Sequence, residues 1–261
     1  MRVRRLFGDL HLTLFRPVAL MLISAVACAE GSVSGDLRID SSYLDYPLQY
    51  RVYVPEAATE GDEYPTIYVT DGQWYLHDGL MVEILDREIE LGNIEPVVAV
   101  FLDSRNPDDL SENRRNEQFK CNQKYVEFFQ NELVPTISAN FPVSPNRDER
   151  VIAGLSFGGL NAACFGLMAS GTFSGIGMQS PASTAHLKVL NSLYSENPRA
   201  AVEIFFSVGT KNDNTKAARA FYRTLQEKGY KVTYIEVPFG HSWDNWYPLI
   251  DDLLQTFFGT Q

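Results

Sequence analysis

Along residues 36–261, short apolar runs alternate with longer stretches in which apolar residues recur every three or four positions. The short runs Leu48–Val54, Thr66–Thr70, Val97–Leu102, Val151–Ala153, Ile176–Met178, Ile204–Val208 and Val232–Val237 each predict a strand. Val97–Leu102 (VVAVFL) is apolar without a break, as expected of a strand covered on both faces. Helical spacing marks Trp74–Leu91, Tyr125–Ile137, the small-residue run 159–169 (GLNAACFGLMA), Thr215–Lys228 and Trp246–Phe258. Gly92-Asn93 and Gly229 stand where two of these should stop. This alternation predicts an α/β fold: a mostly parallel sheet with helices on both faces. The first two strands have no helix between them and are expected to form an antiparallel N-terminal edge. No repeat or linker interrupts the pattern, so residues 30–261 read as one domain.

The first 29 residues follow a different pattern. Arg2, Arg4, Arg5 and Arg16 precede the apolar run Val18–Ala27, and Ala27-Cys28-Ala29 follows it. A basic start, a short apolar stretch and a small-residue end predict a secretory signal peptide over residues 1–29 and an exported protein, periplasmic or secreted. The apolar run is about half the roughly 20 residues that a spanning helix needs. Cys28 leaves a lipoprotein anchor open, although Ala25 stands where that pattern usually has Leu.

Charge and cysteines narrow the partners. The net charge is -11, and losing residues 1–29 removes four arginines and Asp9, leaving -14. A chain this acidic is a poor binder of nucleic acid or anionic membranes, so neither is expected. Three cysteines are too few for a disulfide scaffold or a cysteine-rich metal site. Cys164 lies in an apolar run, which favours a plain core thiol over a bridge to Cys121.

The chemistry concentrates at the predicted strand ends. Gly154-Leu155-Ser156-Phe157-Gly158 is a G-x-S-x-G sequence between the strand Val151–Ala153 and a helix of small residues, the strand–turn–helix setting of a nucleophile elbow. A serine there must sit on a strained turn, and glycines two positions to either side remove side chains that would clash. Its hydroxyl needs a base. His241 follows the strand Val232–Val237 and is the candidate, whereas His77 and His186 fall in or beside predicted helices and His11 in the leader. The acid that orients the imidazole should follow Ile204–Val208, which selects Asp213, with Asp244 as competitor. An oxyanion hole needs two backbone N–H groups. Phe157, directly after the nucleophile, and Gln73, in the turn after Thr66–Thr70, are the candidates. No metal-ligand cluster or phosphate-binding glycine loop accompanies them, so no cofactor and no metal are expected.

The segments Val69-Thr70-Asp71-Gly72-Gln73, Glu132-Leu133-Val134-Pro135, Gly154–Gly159 and Gly240-His241-Ser242-Trp243-Asp244-Asn245-Trp246 together resemble the putative-esterase family of α/β-hydrolases. Esterase D, enterochelin esterases, feruloyl esterases and mycolyltransferases are relatives in that family. The resemblance spans roughly residues 40–258. It implies an α/β-hydrolase fold with Ser156 as nucleophile, Asp213 as acid, His241 as base and the Gln73 and Phe157 N–H groups as oxyanion hole. It also implies a structural role for Asp71. The acid segment is one residue longer than the Gly-x-x-Asp form common in the family, so register alone does not separate Asn212 from Asp213. Only Asp213 is chemically competent.

The expected activity is hydrolysis of a small-molecule carboxylic ester through an acyl-enzyme. Acyl transfer of the mycolyltransferase type, a siderophore esterase and a non-catalytic binding protein are the alternatives. The polar stretch Asp103–Glu117 should overhang the site. Its Arg105, Arg114 and Arg115 could meet an anionic substrate, but neutralising Asp108, Asp109, Glu112 and Glu117 is the favoured reading. Trp74, Trp243 and Trp246 could wall an aromatic or sugar ester or fill the core.

Overall fold

The computed structural model describes residues 30–56 and 61–260. The strands are β1 (Ser32–Val33), β2 (Leu37–Asp40), β3 (Pro47–Val54), β4 (Thr66–Thr70), β5 (Val98–Asp103), β6 (Arg105–Asn106), β7 (Asp109–Asn113), β8 (Arg150–Leu155), β9 (Gly175–Gln179), β10 (Glu203–Gly209) and β11 (Lys231–Val237). Among the described residues, one nine-stranded sheet runs in the order β1-β3-β5-β4-β8-β9-β10-β11, with β2 also paired to β3. From β5 to β11 every pairing is parallel, and β1, β2 and β3 form an antiparallel edge. The small hairpin β6–β7 stands apart.

Alternation along β5 shows how two cores arise from one strand. Val98, Val100 and Leu102 enter one apolar cluster, while Ala99 and Phe101 enter the other on the opposite face. The first cluster is closed by Phe128, Phe129, Phe165, Tyr194 and Phe221 from helices covering that face. The second is closed by Tyr75, Ile84, Leu85, Leu253 and Leu254 from the helices Gly72–His77, Met81–Glu90 and Ile250–Phe258. A strand buried on both faces has no polar side to alternate, which is why β4, β5, β8 and β9 are buried throughout.

The antiparallel edge differs in one respect from the sequence reading. β3 and β4 are the first long strands, yet β5 lies between them and is antiparallel to β3 and parallel to β4. A fully buried strand needs a neighbour on each side. The helices Gly72–His77 and Met81–Glu90 carry the chain from β4 back to a parallel β5, as such connections do.

Three long predicted helices are interrupted. The stretch 74–91 breaks at Leu80, which takes a left-handed conformation at φ 45°. The stretch 125–137 runs as Gln123–Phe128, a π-helical segment Phe129–Leu133 and Val134–Asn140. Pro135 has no N–H to donate back one turn, and the wider π turn accommodates that loss. Beside Pro248 a 3-10 turn, Tyr247–Leu249, precedes the last helix. β1, β2, the β6–β7 hairpin and the helix Thr184–Glu196 add to the elements that the sequence pattern predicts. Leu187, Leu190 and Tyr194 bury one face of that helix at helical spacing, so the signal was present.

Cys164 is not a free thiol in the structure. Its side chain is bonded to Cys121, with Cα atoms 5.1 Å apart. The apolar run carries no sign that the segment after β7 folds back onto the helix Phe157–Met168, which brings Cys121 over it. The predicted signal peptide and Cys28 lie outside the described residues.

The bond closes a loop with a sequence separation of 43. Loop-closure entropy of that length corresponds to about 4 kcal/mol in the unfolded chain. Cys121→Ser/Cys164→Ser should therefore lower Tm by roughly 10 °C in calorimetry. The same drop should appear in the wild type only after reduction.

Candidate active site

Three strand ends on the same side of the sheet build the site. Immediately after β8, Ser156 adopts φ 52° and ψ -117°, a strained conformation for a residue with a side chain. Its N–H donates to Gln179 O at 2.8 Å, and its carbonyl accepts from Leu160 N–H and Ala182 N–H. The turn fits only because its flanks are glycines. A Cβ on Gly154 would lie 2.5 Å from Thr70 Oγ1, and one on Gly158 2.8 Å from the same atom. The elbow is thus pressed against the neighbouring strand β4.

His241 follows β11, and Asp213 follows β10. Ser156 Oγ lies 2.9 Å from His241 Nε2, and His241 Nδ1 lies 3.0 Å from Asp213 Oδ1. Desolvation of Asp213 works to raise its pKa. The His241 contact, Gly209 N–H, Ser180 Oγ–H and Asn214 N–H outweigh it and bring the value down to about 2. An ionised carboxylate can only accept, so Nδ1 carries the proton and Nε2 is left to accept from Ser156 Oγ.

The shell around Asp213 contains residues that sequence reasoning did not single out. Ser180 Oγ donates to Asp213 Oδ2 at 2.7 Å and accepts from Asn245 Nδ2 and Trp246 Nε1, each at 3.0 Å. Asn245 is fully buried and also donates to Gly240 O at 3.0 Å, just before His241. Trp246 packs edge-on against the His241 ring at 5.0 Å. The Asn245-Trp246 pair was visible within the Gly240–Trp246 segment, but its hydrogen bonding was not. Asp244 stands apart from the imidazole at the start of the helix Trp243–Trp246, with Ser242 Oγ 3.4 Å away. Asn212 occupies a left-handed turn at φ 54° and leaves Asp213 to face His241.

Gln73 is the second residue of the helix Gly72–His77, and Phe157 is the first of the helix Phe157–Met168. Neither N–H has an acceptor one turn back within its own helix, so both are donors available to an anion. Gly72 is required because a Cβ would meet the Phe101 backbone at 2.5 Å. Asp71, buried and left-handed at φ 59°, introduces this turn. Burial raises its pKa to about 6, and Arg115 and Ser104 moderate the rise.

None of the three loop arginines stands unpaired. Arg105 pairs with Asp103 and Arg114 with Glu112, while Arg115 reaches inward to Asp71 at 2.6 Å. Arg38 takes Asp108. Neutralisation therefore holds for Arg114, but Arg105 and Arg115 use aspartates outside the set expected. Beside Gln73 a cavity of about 380 Å³ is lined by Tyr50, Leu76, Phe101, Arg51, Arg105 and Leu110 of the hairpin. Trp246 is buried. Trp243 packs on Tyr75 and Trp246 and also lines a surface cleft with Phe239 and Tyr247. His77 meets Asp78, and His186 meets Ser183 in the cap of its own helix. Among the described residues no group of three or more His, Cys, Asp or Glu side chains is placed to hold a metal ion.

A mostly parallel sheet with an elbow serine after β8, an aspartate after β10 and a histidine after β11 defines an α/β-hydrolase fold. The chain belongs to the Putative esterase family, whose model matches residues 41–257. An iron(III) enterobactin esterase of Dickeya dadantii is 28% identical over 127 residues, which are 49% of this chain and 28% of that protein. The chain thus spans under a third of the length of that curated relative. The solved enterobactin esterase of Shigella flexneri, determined with enterobactin, superposes with a TM-score of 0.75 at 22% identity, over 86% of this chain and 59% of that one. A ferulic acid esterase superposes with a TM-score of 0.70 at 19% identity, over 87% and 99%.

Asp213 also makes a stability prediction. Its pKa is about 2 in the fold against an ordinary 3.8, so its ionised contacts stabilise the protein fully above about pH 4 and are lost as pH falls toward 2. The Tm deficit of Asp213→Asn relative to wild type should be constant from pH 8 to about 5 and shrink below about 4. A deficit that grows on acidification would show that Asp213 is not held ionised.

Proposed function

We propose that the protein is a serine esterase that cleaves a small-molecule carboxylic ester through an acyl-enzyme. The observation that carries this reading is the continuous chain from Ser156 Oγ through His241 to Asp213, with contacts of 2.9 and 3.0 Å. Ser156 Oγ attacks the acyl carbon while Nε2 takes its proton, and Asp213 steadies the imidazolium that forms. The carbonyl oxygen becomes an oxyanion that accepts from Gln73 N–H and Phe157 N–H. Collapse expels the alcohol, which receives the proton from Nε2. Water then enters, loses a proton to Nε2, and the acid leaves as Ser156 is restored.

The family match over residues 41–257 supports ester cleavage. The iron(III) enterobactin esterase is matched over only 28% of its length, so its substrate does not carry over. We also propose that the protein is exported. The basic and apolar leader supports this, and so does the Cys121–Cys164 bond, which suits an oxidising compartment. Mass spectrometry of the protein purified from its source should find an N-terminus near residue 30. An intact Met1 end would overturn export.

Ser156→Ala should lower ester turnover by at least about 10³-fold and abolish labelling by a fluorophosphonate, with Tm preserved. Asp213→Asn should approach the same loss, whereas Asp244→Asn should stay within a few-fold of wild type. Turnover retained in Ser156→Ala, or the reverse ranking of the two aspartates, would overturn the mechanism. An ester panel of acetyl, longer acyl, feruloyl, S-formyl and siderophore lactone substrates ranks the substrate classes.

A further inference from the structure

One side chain touches both turns that offer the oxyanion donors. Arg115 begins the short helix Arg115–Gln118 that follows the β6–β7 hairpin. Its Nη2 donates to Asp71 Oδ2 at 2.6 Å. The guanidinium carbon lies 4.9 Å from the centre of the Trp74 ring and 5.4 Å from the centre of the Phe157 ring. Asp71 and Trp74 are the residues at either side of Gly72-Gln73, and Phe157 supplies the second donor. The guanidinium therefore joins the turn after β4 to the turn after β8.

Its neighbours hold it in place. Asp71 Oδ1 accepts from Ser104 Oγ at 3.0 Å, and Gln73 Nε2 lies 3.4 Å from the same hydroxyl. Asn113 Oδ1 accepts from Arg115 N–H at 3.0 Å. Phe119 N–H donates to Arg115 O, and Phe119 is buried. Two residues further on, Cys121 is bonded to Cys164 in the helix that Phe157 begins. The arginine segment is thus anchored to the nucleophile helix at its far end and to the Gln73 turn through its guanidinium.

We propose that Arg115 is a positioning residue for acyl transfer, holding the Gln73 turn against the Phe157 turn at the separation that the tetrahedral oxyanion needs. The proposal rests on the serine-esterase reading and on Gln73 and Phe157 as donors. Arg115 acts through those backbone groups and touches no reacting atom. Arginine suits the role because its planar cation pairs with a buried carboxylate and lies against two aromatic faces at once. Lysine offers the charge as a point and cannot span both rings. A displacement of an oxyanion donor by about 1 Å is enough to cost on the order of 10²-fold in rate.

The test uses the whole protein with two variants, an alkyl boronic acid as mimic of the tetrahedral state, and a chromogenic ester. Arg115→Lys keeps a cation beside Asp71. Asp71→Asn/Arg115→Met removes both charges together, so no unpaired charge is buried and folding is protected. In each, kcat should fall by about 30- to 100-fold with KM within about threefold. Affinity for the boronic acid should fall by a similar factor, while fluorophosphonate still labels Ser156 to completion. Arg114→Lys, at the neighbouring residue that pairs with Glu112 and covers Tyr46, should leave all these readouts near wild type. Wild-type kcat and boronate affinity in both Arg115 variants would overturn the positioning role and leave the esterase mechanism intact. A rise confined to KM would also overturn it, by making Arg115 a substrate contact. If the wild type neither binds the boronic acid nor loses turnover in Ser156→Ala, the oxyanion hole itself fails and this role falls with it.

Discussion

A charge buried at Asp213 dictates much of how the strand ends must meet. Its side chain is shielded from solvent, yet it is held ionised to about pH 2. Removing a carboxylate from water is costly unless donors surround it. Here those donors come from five residues: Ser180 beyond β9, Gly209 at the end of β10, Asn214 just after Asp213, His241 beyond β11 and Asn245 in the following helix. Satisfying one carboxylate therefore locks three consecutive strand ends into one arrangement. The imidazole is directed toward Ser156 as part of the same solution.

A second buried carboxylate, Asp71, is handled differently. It has Ser104 and Arg115 as partners, and burial leaves its pKa raised to about 6. Two partners compensate burial less completely than the set around Asp213 does. The contrast separates two kinds of support. Around Asp213 short hydrogen bonds fix a charge that must stay ionised beside the imidazole. Around Asp71 one cation does most of the compensating, and that cation also spans to Phe157. The turn that carries Gln73 is thereby held by an ion pair and ring contacts from a loop, whereas the elbow is held by backbone hydrogen bonds and glycine contacts from the sheet.

What could be read from the sequence follows from how local each signal is. The buried strands were legible because a strand covered on both faces is a continuous apolar run, as Val97–Leu102 is. Ser156, His241 and Asp213 were legible as candidates because a parallel sheet brings its strand ends to one side, so position after a strand stands in for proximity. Order along the chain, by contrast, says little about order across the sheet, and the insertion of β5 between β3 and β4 was not foreseen. Nor were the pairings at Asp213: nothing in the spacing of Ser180 and Asn245, 65 residues apart, links them. Arg115 lay among Asp108, Glu112 and Glu117, and proximity in sequence suggested the wrong partner for it. A side chain near acids along the chain is not thereby near them in space, and a buried acid such as Asp71 competes for the cation more strongly than exposed ones.

The disulfide shows the same principle in a covalent form. Cys164 sits 1% exposed in the helix that follows Ser156, and an apolar setting alone favours a thiol. What changes the outcome is the polar segment 105–120, which has few apolar residues to bury and so cannot hold itself against the sheet by packing. Phe119 is its buried anchor, and Cys121 lies two residues beyond. A short covalent tie and one ion pair to Asp71 together fix both ends of a stretch that its own composition would leave loose. The loop's arginines are spent on internal carboxylates, whereas Lys120 lies 5.5 Å from the centre of the Phe157 ring. Arg105, Arg114 and Arg115 all point to partners within the protein. Of the cations in this segment, Lys120 is therefore the one left to meet a negative group beside the elbow, while the three arginines hold the loop to the rest of the fold.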